Sequence, residues 1–400
     1  MKKETRFKQV QNLIFAGLKN LFNSQDELDF DKFTLTVLES LMLLEREEYL
    51  KSSLGENDSG NGSYVRDFRS LRTNSLQISI PRSRNGEFKP LILDLIKKQN
   101  EQINELALLL YRKGLSTRDV SSVMQEFFGE SISFATVNKL ASSFHDIRLA
   151  WEKRPLDAYY KVFFCDALYI NLKRGNSYSK EAVYVIYGVK DDNTRELILL
   201  EVNPTESSTI WGEYLKKLQL RGVEQVDLIV ADGLINFSSE VKKHFPGADV
   251  QRCVVHLQRN YLNKVRPKDK QEFGSDLKFV FDNFERIDTK VKTKGKIIEF
   301  IKKWEQSYKF VANLKEEEYI EDYLTYIDYP IEIRRMIYTT NSIENLNRQI
   351  RKVTKTKVTF EKEENLLDLI YMVIKDFEFN NWQKYPIFNF KFWPKFTHAV

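Results

Sequence analysis

An α/β protein is expected: a five-stranded mixed sheet, interrupted by an all-helical insertion and preceded by a mainly helical region. Three observations predict it. Residues 159–173, 181–190 and 195–202 are rich in β-branched and aromatic residues and are separated by turn residues, as in a three-stranded meander. Residues 209–255 then alternate: an amphipathic helix to Leu220, a strand over 226–231, a helix over 238–245 and a strand over 249–255. Residues 257–335 are charged, aromatic and largely helical in pattern.

The elements follow in order. Residues 7–23 and 32–50 have helical periodicity, with Val10, Leu13, Ile14, Leu18 and Leu21, then Leu35, Leu38, Leu41, Met42 and Leu44. Gly55–Ser63 reads as a linker, and a basic, strand-like stretch runs on to Pro81, ending Arg82-Ser83-Arg84-Asn85-Gly86. Residues 91–144 read as three helices. The first carries Leu95, Ile103, Leu106, Leu110 and Tyr111 and stops at Gly114. Ser116 and Asp119 form a capping pair for the second, whose apolar face is Val120, Val123, Met124 and Phe127. Ser133 caps the third, with Val137, Leu140 and Phe144 inward and Thr136, Asn138, Lys139 and Ser142 outward. Short helices at glycine turns are compatible with a helix-turn-helix, and equally with an ordinary three-helix packing unit. From residue 159, a meander followed by alternating helix and strand is the element order of an RNase H-like domain. A helix carries Glu344, another spans 361–379, and an aromatic tail from Trp382 to Phe396 must pack on something. We divide the chain into an N-terminal helical segment 1–60, a region 61–150 with the candidate helix-turn-helix, an RNase H-like core in two parts, 151–256 and 336–380, the insertion 257–335 between them, and the tail 381–400.

Composition narrows the function. The 400 residues are 42% apolar, enough for packed cores. Net charge is only +5, but residues 64–98 carry 8 Lys and Arg against 3 Asp and Glu, and residues 341–360 carry 5 against 1. Two basic zones on a near-neutral background suggest a polyanionic partner, though a solvated charged surface explains charge alone as well. Two cysteines, Cys165 and Cys253, exclude a disulfide framework and point to a reducing compartment. No apolar run is long enough for a membrane span and no secretory signal is convincing, so a soluble intracellular protein without a membrane partner is expected.

Three acidic residues stand out. Asp166 lies within Val162–Ile170, apolar on both faces as a central strand is. Asp232 closes the strand Val226–Ala231, where ligands of α/β sheets gather, although Asp-Gly after a strand is also a common turn. Glu344 leads a helix face with Arg348, Arg351 and Lys355, opposite Ile343, Leu346, Ile350 and Val353; its ordinary reading is an ion pair with Arg348. Buried carboxylates are costly unless they meet a metal or a partner. Three that converge can hold two hard divalent cations for phosphodiester chemistry. Cys253-Val-Val-His256 is half of a zinc motif without a second pair.

Several segments together resemble one family. Asp166-Ala-Leu-Tyr169, Arg221-Gly-Val223, Ala231-Asp232-Gly233, Cys253-Val-Val-His256 and Tyr338-Thr-Thr-Asn-Ser-Ile-Glu-Asn-Leu-Asn-Arg-Gln-Ile-Arg-Lys-Val-Thr-Lys355 stand in the order and spacing of the Mutator-type transposases of prokaryotic insertion sequences. The resemblance runs from about residue 61 to 375, with Pro81–Phe88 and Gly114–Asp119 similar to N-terminal motifs. It implies an RNase H-like fold with a helical insertion and a DDE triad of Asp166, Asp232 and Glu344, the ligands of two Mg²⁺ or Mn²⁺ ions. Cys253 and His256 would support that site rather than bind metal.

The reading is a DNA transposase that binds terminal inverted repeats and target DNA, cleaves and joins strands, and works as a homodimer or larger assembly on DNA. Arg82, Arg84, Lys139, Arg348, Arg351 and Lys355 are its candidate DNA contacts. An RNase H-like nuclease or integrase without strand transfer, and a silent DNA-binding regulator, are the alternatives.

Overall fold

The computed structural model describes Phe15, Lys19 and residues 30–70, 73–128, 133–232, 236–282, 289–315, 317–355 and 360–394. The expected helix at 7–23 falls almost wholly outside them, as do Gly129, Gly233, Phe396 and the side chains of Leu95 and Phe127. Two compact units divide at Ser143/Phe144.

In the N-terminal unit a helix, Phe30–Lys51, precedes an antiparallel hairpin of β1 (Gly60–Ser70) and β2 (Thr73–Ser83). The expected linker is therefore shorter: Gly60 already pairs with Ser83, and a bulge between Gly60 and Ser63 absorbs Gly62 in its left-handed conformation. The division at residue 60 is not a packing boundary either. Met42 of the first helix is fully buried with Ile78 and Ile80 of β2, flanked by Leu35, Leu38 and Leu41. A two-stranded hairpin lacks a core of its own and takes one from this helix. Helices Ile92–Arg112 and Thr117–Phe128 follow. Ser116 and Asp119 cap the second reciprocally: Asp119 N donates to Ser116 Oγ at 3.0 Å and Ser116 N to Asp119 Oδ2 at 3.1 Å. Ser133 accepts from Thr136 N, and the helix it begins, Phe134–Lys153, runs nine residues beyond the expected end at 144 and across the division between the units.

The second unit is built on a five-stranded sheet of order β5-β4-β3-β6-β7, with β3 (Tyr159–Arg174), β4 (Ser177–Val189), β5 (Arg195–Asn203), β6 (Gln225–Ala231) and β7 (Asp249–Arg252). β3 pairs antiparallel with β4 and parallel with β6, so the sheet is mixed, as expected, and β3 is its centre. One face packs on helices Ser208–Leu220 and Phe237–His244 through Tyr160, Phe163, Cys165, Trp211 and Phe237. Asp166, the residue after Cys165, turns by strand alternation to the other face, where the Glu344 helix Asn341–Thr354 lies. Gly188 lets β4 pass Tyr160 closely, since a Cβ there would stand 2.5 Å from the ring. Arg221 is structural: it donates to the carbonyls of Trp151, Arg154 and Ile198, and Gly222 (φ +107°) turns the chain after it.

One strand is shorter than expected. β7 ends at Arg252, and Val254–Asn263 is a helix with extended Cys253 at its N-cap. Val254 and Val255 resemble strand residues, but the chain leaves the sheet as Val254 N donates to Tyr338 O at 3.2 Å. The described residues from there to 337 are mainly helical, and the longer helices Lys270–Phe281 and Lys290–Trp304 pack around Phe273, Phe300, Trp304 and Tyr308. The tail packs back within the unit: Trp382 and Trp393 are buried, and Trp393 Nε1 donates to Asp227 Oδ2 at 2.9 Å. No helix among the described residues is long and apolar enough to cross a membrane.

Candidate active site

Register places the first two acids side by side. The last paired residues of β3 and β6 are Phe164 and Val230, and Asp166 and Asp232 each stand two residues further along these parallel strands. β7 contributes the next position: Cys253 N donates to Ala231 O at 2.8 Å, and His256 follows on the first turn of its helix. The ends of β6 and β7 thus meet β3 where its pairing with β6 stops, at the carboxyl edge of the parallel strands, where open α/β sheets bind ligands.

Glu344 is delivered by its helix. Ile343, Leu346, Ile350 and Val353 are buried, whereas Arg348, Arg351 and Lys355 are exposed, as the two-faced pattern predicts. Cys253 fastens the start of this helix, because Thr340, its N-cap residue, donates to Cys253 Sγ through its amide at 3.4 Å and its hydroxyl at 3.3 Å. Glu344 does not take Arg348, the partner in its ordinary helix reading, as its close contact. Its partners are Arg259, with Nη1 donating to Oε1 at 2.7 Å, and His256, with Nε2 at 3.3 Å from Oε1. The other ring nitrogen of His256, Nδ1, is 3.4 Å from Asp232 Oδ1. One imidazole therefore stands between two of the three acids.

Asp166 has a different partner. Asn347 Nδ2 donates to Asp166 Oδ2 at 2.6 Å, and Ala167 N donates to Oδ1 at 2.9 Å. Burial and the neighbouring Asp232 push the Asp166 carboxyl up to about 7, against the pull of His256. His256 is raised to about 9, chiefly by its bond to Cys253, with Asp232 and Asp166 adding to this against burial. The Cys253 thiol, although buried, is lowered by His256 and Thr340. Among the described residues no three His, Cys, Asp or Glu side chains converge tightly enough, as they stand, to hold a metal ion. The donor chemistry fits hard cations nonetheless. The three acids offer only carboxylate oxygens, and the buried Asn347 Oδ1, beside Asp166, has no hydrogen-bond partner among the described residues.

Sequence reasoning missed four groups. Asn347 lies one turn after Glu344, a spacing that signalled a shared face, but the basic residues drew attention first. Arg259 had no distinguishing pattern, and Thr340 stood within the family-like segment Tyr338–Lys355 with no role assigned to it. Glu206, just before the N-cap Ser207, is raised by burial and by Asp232; Tyr169 Oη and Trp211 Nε1 each donate to it at 3.4 Å. Of the candidate DNA contacts, Arg348, Arg351 and Lys355 stand exposed on the Glu344 helix. Arg82, Arg84 and Lys139 are exposed in the N-terminal unit, where Arg82 lies over the Tyr64 ring at 5.5 Å.

The His256 value makes a prediction with a definite sign. A histidine whose folded pKa is about 9, against an ordinary 6.5, stabilises the fold below pH 6.5 and loses that contribution as pH rises through 9. The ceiling is on the order of 3 kcal/mol. In chelator, His256→Gln should melt several degrees below the wild type at pH 6.5, and the gap should close by about pH 10. A gap independent of pH would mean that the imidazole acts only by packing.

These features define an α/β protein with an acidic site at the carboxyl edge of a mixed sheet, fed by a helix that is basic on its exposed side. Comparison with known proteins gives the family. The model of the family "Transposase, Mutator family" matches residues 5–385. The chain belongs to the Mutator family of transposases. It is 31% identical over 366 residues to the transposase for insertion sequence element IS905 of Lactococcus lactis subsp. lactis (strain IL1403), covering 89% of this chain and 92% of that one. It is 32% identical to the transposase for IS1201 of Lactobacillus helveticus, covering 80% and 84%. With the transposase for IS256 in transposon Tn4001 of Staphylococcus aureus it shares 27% identity, covering 92% and 93%. The Drosophila P element transposase strand transfer complex aligns with 75% of this chain and 82% of that one at 12% identity and a TM-score of 0.29, too low to bear on the fold.

Proposed function

We propose that this transposase cleaves and rejoins DNA strands in an RNase H-like domain through a DDE triad of Asp166, Asp232 and Glu344. The observation that supports it most is the equivalent placement of Asp166 and Asp232 on neighbouring parallel strands, beside the helix of Glu344. The three carboxylates would hold two Mg²⁺ or Mn²⁺ ions, which when bound lower the pKa of an attacking oxygen and stabilise the leaving one. Asn347 holds Asp166 in orientation by its amide. His256 and Arg259 hold Asp232 and Glu344 and offset their charge in this arrangement, so they must give way where cations take that role. Cys253 and Thr340 keep the Glu344 helix against the end of β7. Arg348, Arg351 and Lys355 lie along one exposed helix face and position the phosphate backbone. Arg82, Arg84 and Lys139 supply contacts to terminal inverted repeats from the N-terminal unit. Bringing two ends together calls for a dimer or a larger assembly on DNA.

The test incubates the protein with Mg²⁺ and labelled duplexes carrying the ends of its own element. Nicked ends followed by joined products are expected. Nicking without joining would favour a nuclease, and binding alone a regulator. Arg351→Ala should weaken binding and reduce the slope of log affinity against log salt by roughly one, because one phosphate contact releases about one counterion. An unchanged slope would make Arg351 a surface charge only.

A further inference from the structure

A cavity of about 300 Å³ opens between β3 and the Glu344 helix, lined by Tyr169, Asn171, Lys180, Arg351, Thr354 and Lys355. We propose that it seats one nucleotide of the DNA strand beside the cleaved phosphate, with its base turned out of the duplex stack. The proposal rests on the transposase reading and names a subsite of it.

Charge selects the ligand. Lys180, Arg351 and Lys355 come from two elements, are exposed, and have no ion-pair partner among the described residues; no acid lines the cavity. Three unpaired cations around one recess fit a phosphate-bearing ligand. The recess is too small for a duplex, whose major groove alone is about 12 Å wide, but is of the size of small-ligand pockets. Tyr169 supplies the stacking surface. It is a large aromatic residue 55% exposed on a central strand, with its hydroxyl held 3.4 Å from Glu206. Every base has a π-face, so such a ring accepts any sequence.

Position ties the cavity to the site. Tyr169 is three residues beyond Asp166 on a strand, roughly 10 Å at the rise of an extended chain. Arg351 is seven residues beyond Glu344 on a helix, also roughly 10 Å. Both elements therefore place the recess about three nucleotides from the acids, at ~3.4 Å per nucleotide of a strand.

The test uses the full chain in chelator, so that no cleavage occurs, and end-bearing duplexes with 2-aminopurine at each position within about four nucleotides of the cut. Selective retention of end DNA over scrambled DNA is measured on the same samples. One position should brighten at least about twofold on binding, as unstacking does, and Tyr169→Ala should remove most of that signal while Tyr169→Phe keeps it. Lys180→Ala, at an exposed side chain, should weaken binding of the duplex severalfold and spare its selectivity. End binding with no bright position overturns the cavity assignment and leaves the transposase reading intact. So does brightening that survives both Tyr169→Ala and Lys180→Ala. Failure of the wild type to select end DNA falls on the transposase reading, and the ligand of the cavity falls with it.

Discussion

Asp166→Asn should stop DNA cleavage while leaving binding of the element's ends nearly unchanged. The loss should be at least about a hundredfold, since removing one preorganised electrostatic group costs roughly a hundred- to a thousandfold. Asp166 stands in the middle of the central strand, just past its last pairing with β6, held by Asn347 and beside Asp232. Asparagine keeps the shape and removes the charge that cations need and DNA phosphates repel. The same variant tells catalysis from folding. Burial and Asp232 raise the carboxyl to about 7 from an ordinary 3.8. A raised acid costs nothing below pH 4, costs more as pH rises, and costs its full amount above 7. Asparagine removes that cost, at most on the order of 4 kcal/mol. In chelator the variant should therefore melt higher than the wild type at pH 8 and level with it at pH 4. Near-normal cleavage by the variant would remove Asp166 from the site. A lower melting temperature at pH 8 would mean that its charge supports the fold.

The largest effect on stability is expected far from that site. Arg148→Ala should destabilise the second unit by about 3–5 kcal/mol, the usual result of stripping one partner from a buried ion pair. Arg148 is 3% exposed, and its Nε donates to Asp368 Oδ1 at 2.6 Å, while Nη1 bonds Glu152. Asp368, on helix Glu363–Phe377, is itself buried and is also 3.2 Å from His145 Nδ1. Alanine leaves an acid in the interior with only a histidine to answer it. A thermal melt should fall by roughly 6–20 °C for a unit of this size. Arg148→Met combined with Asp368→Leu should recover most of it, since apolar groups of similar volume replace such pairs at little cost. A single variant that melted within about 1 °C of the wild type would show that the pair contributes nothing.

Much of the second unit was legible along the chain. β3, β5 and β6 fall within a residue of their expected ends, because β-branched runs broken by turn residues have few alternatives. β4 begins four residues earlier than expected, at Ser177, since the long hairpin with β3 extends pairing through residues of low strand preference. The end of β7 was misread for the opposite reason: two valines favour a strand, yet the backbone of Val254 bonds Tyr338, more than eighty residues away. Local preference cannot register a partner at that distance.

By itself the sequence determined the order of elements, the two-faced Glu344 helix and the three acids worth watching, since each depends on residues within a few turns of one another. Only the tertiary structure decided which groups answer those acids. His256 between Asp232 and Glu344 and Arg259 on Glu344 come from the helix Val254–Asn263, Asn347 on Asp166 from the Glu344 helix, and Glu206 from the turn before Ser207, stretches far apart along the chain. Burial and Coulomb interaction act through space, at a few ångströms, and leave no periodicity along the chain. Packing likewise settled that the hairpin of the N-terminal unit shares a core with the helix before it, because hydrophobic burial joins whatever apolar faces meet, whatever linker lies between them.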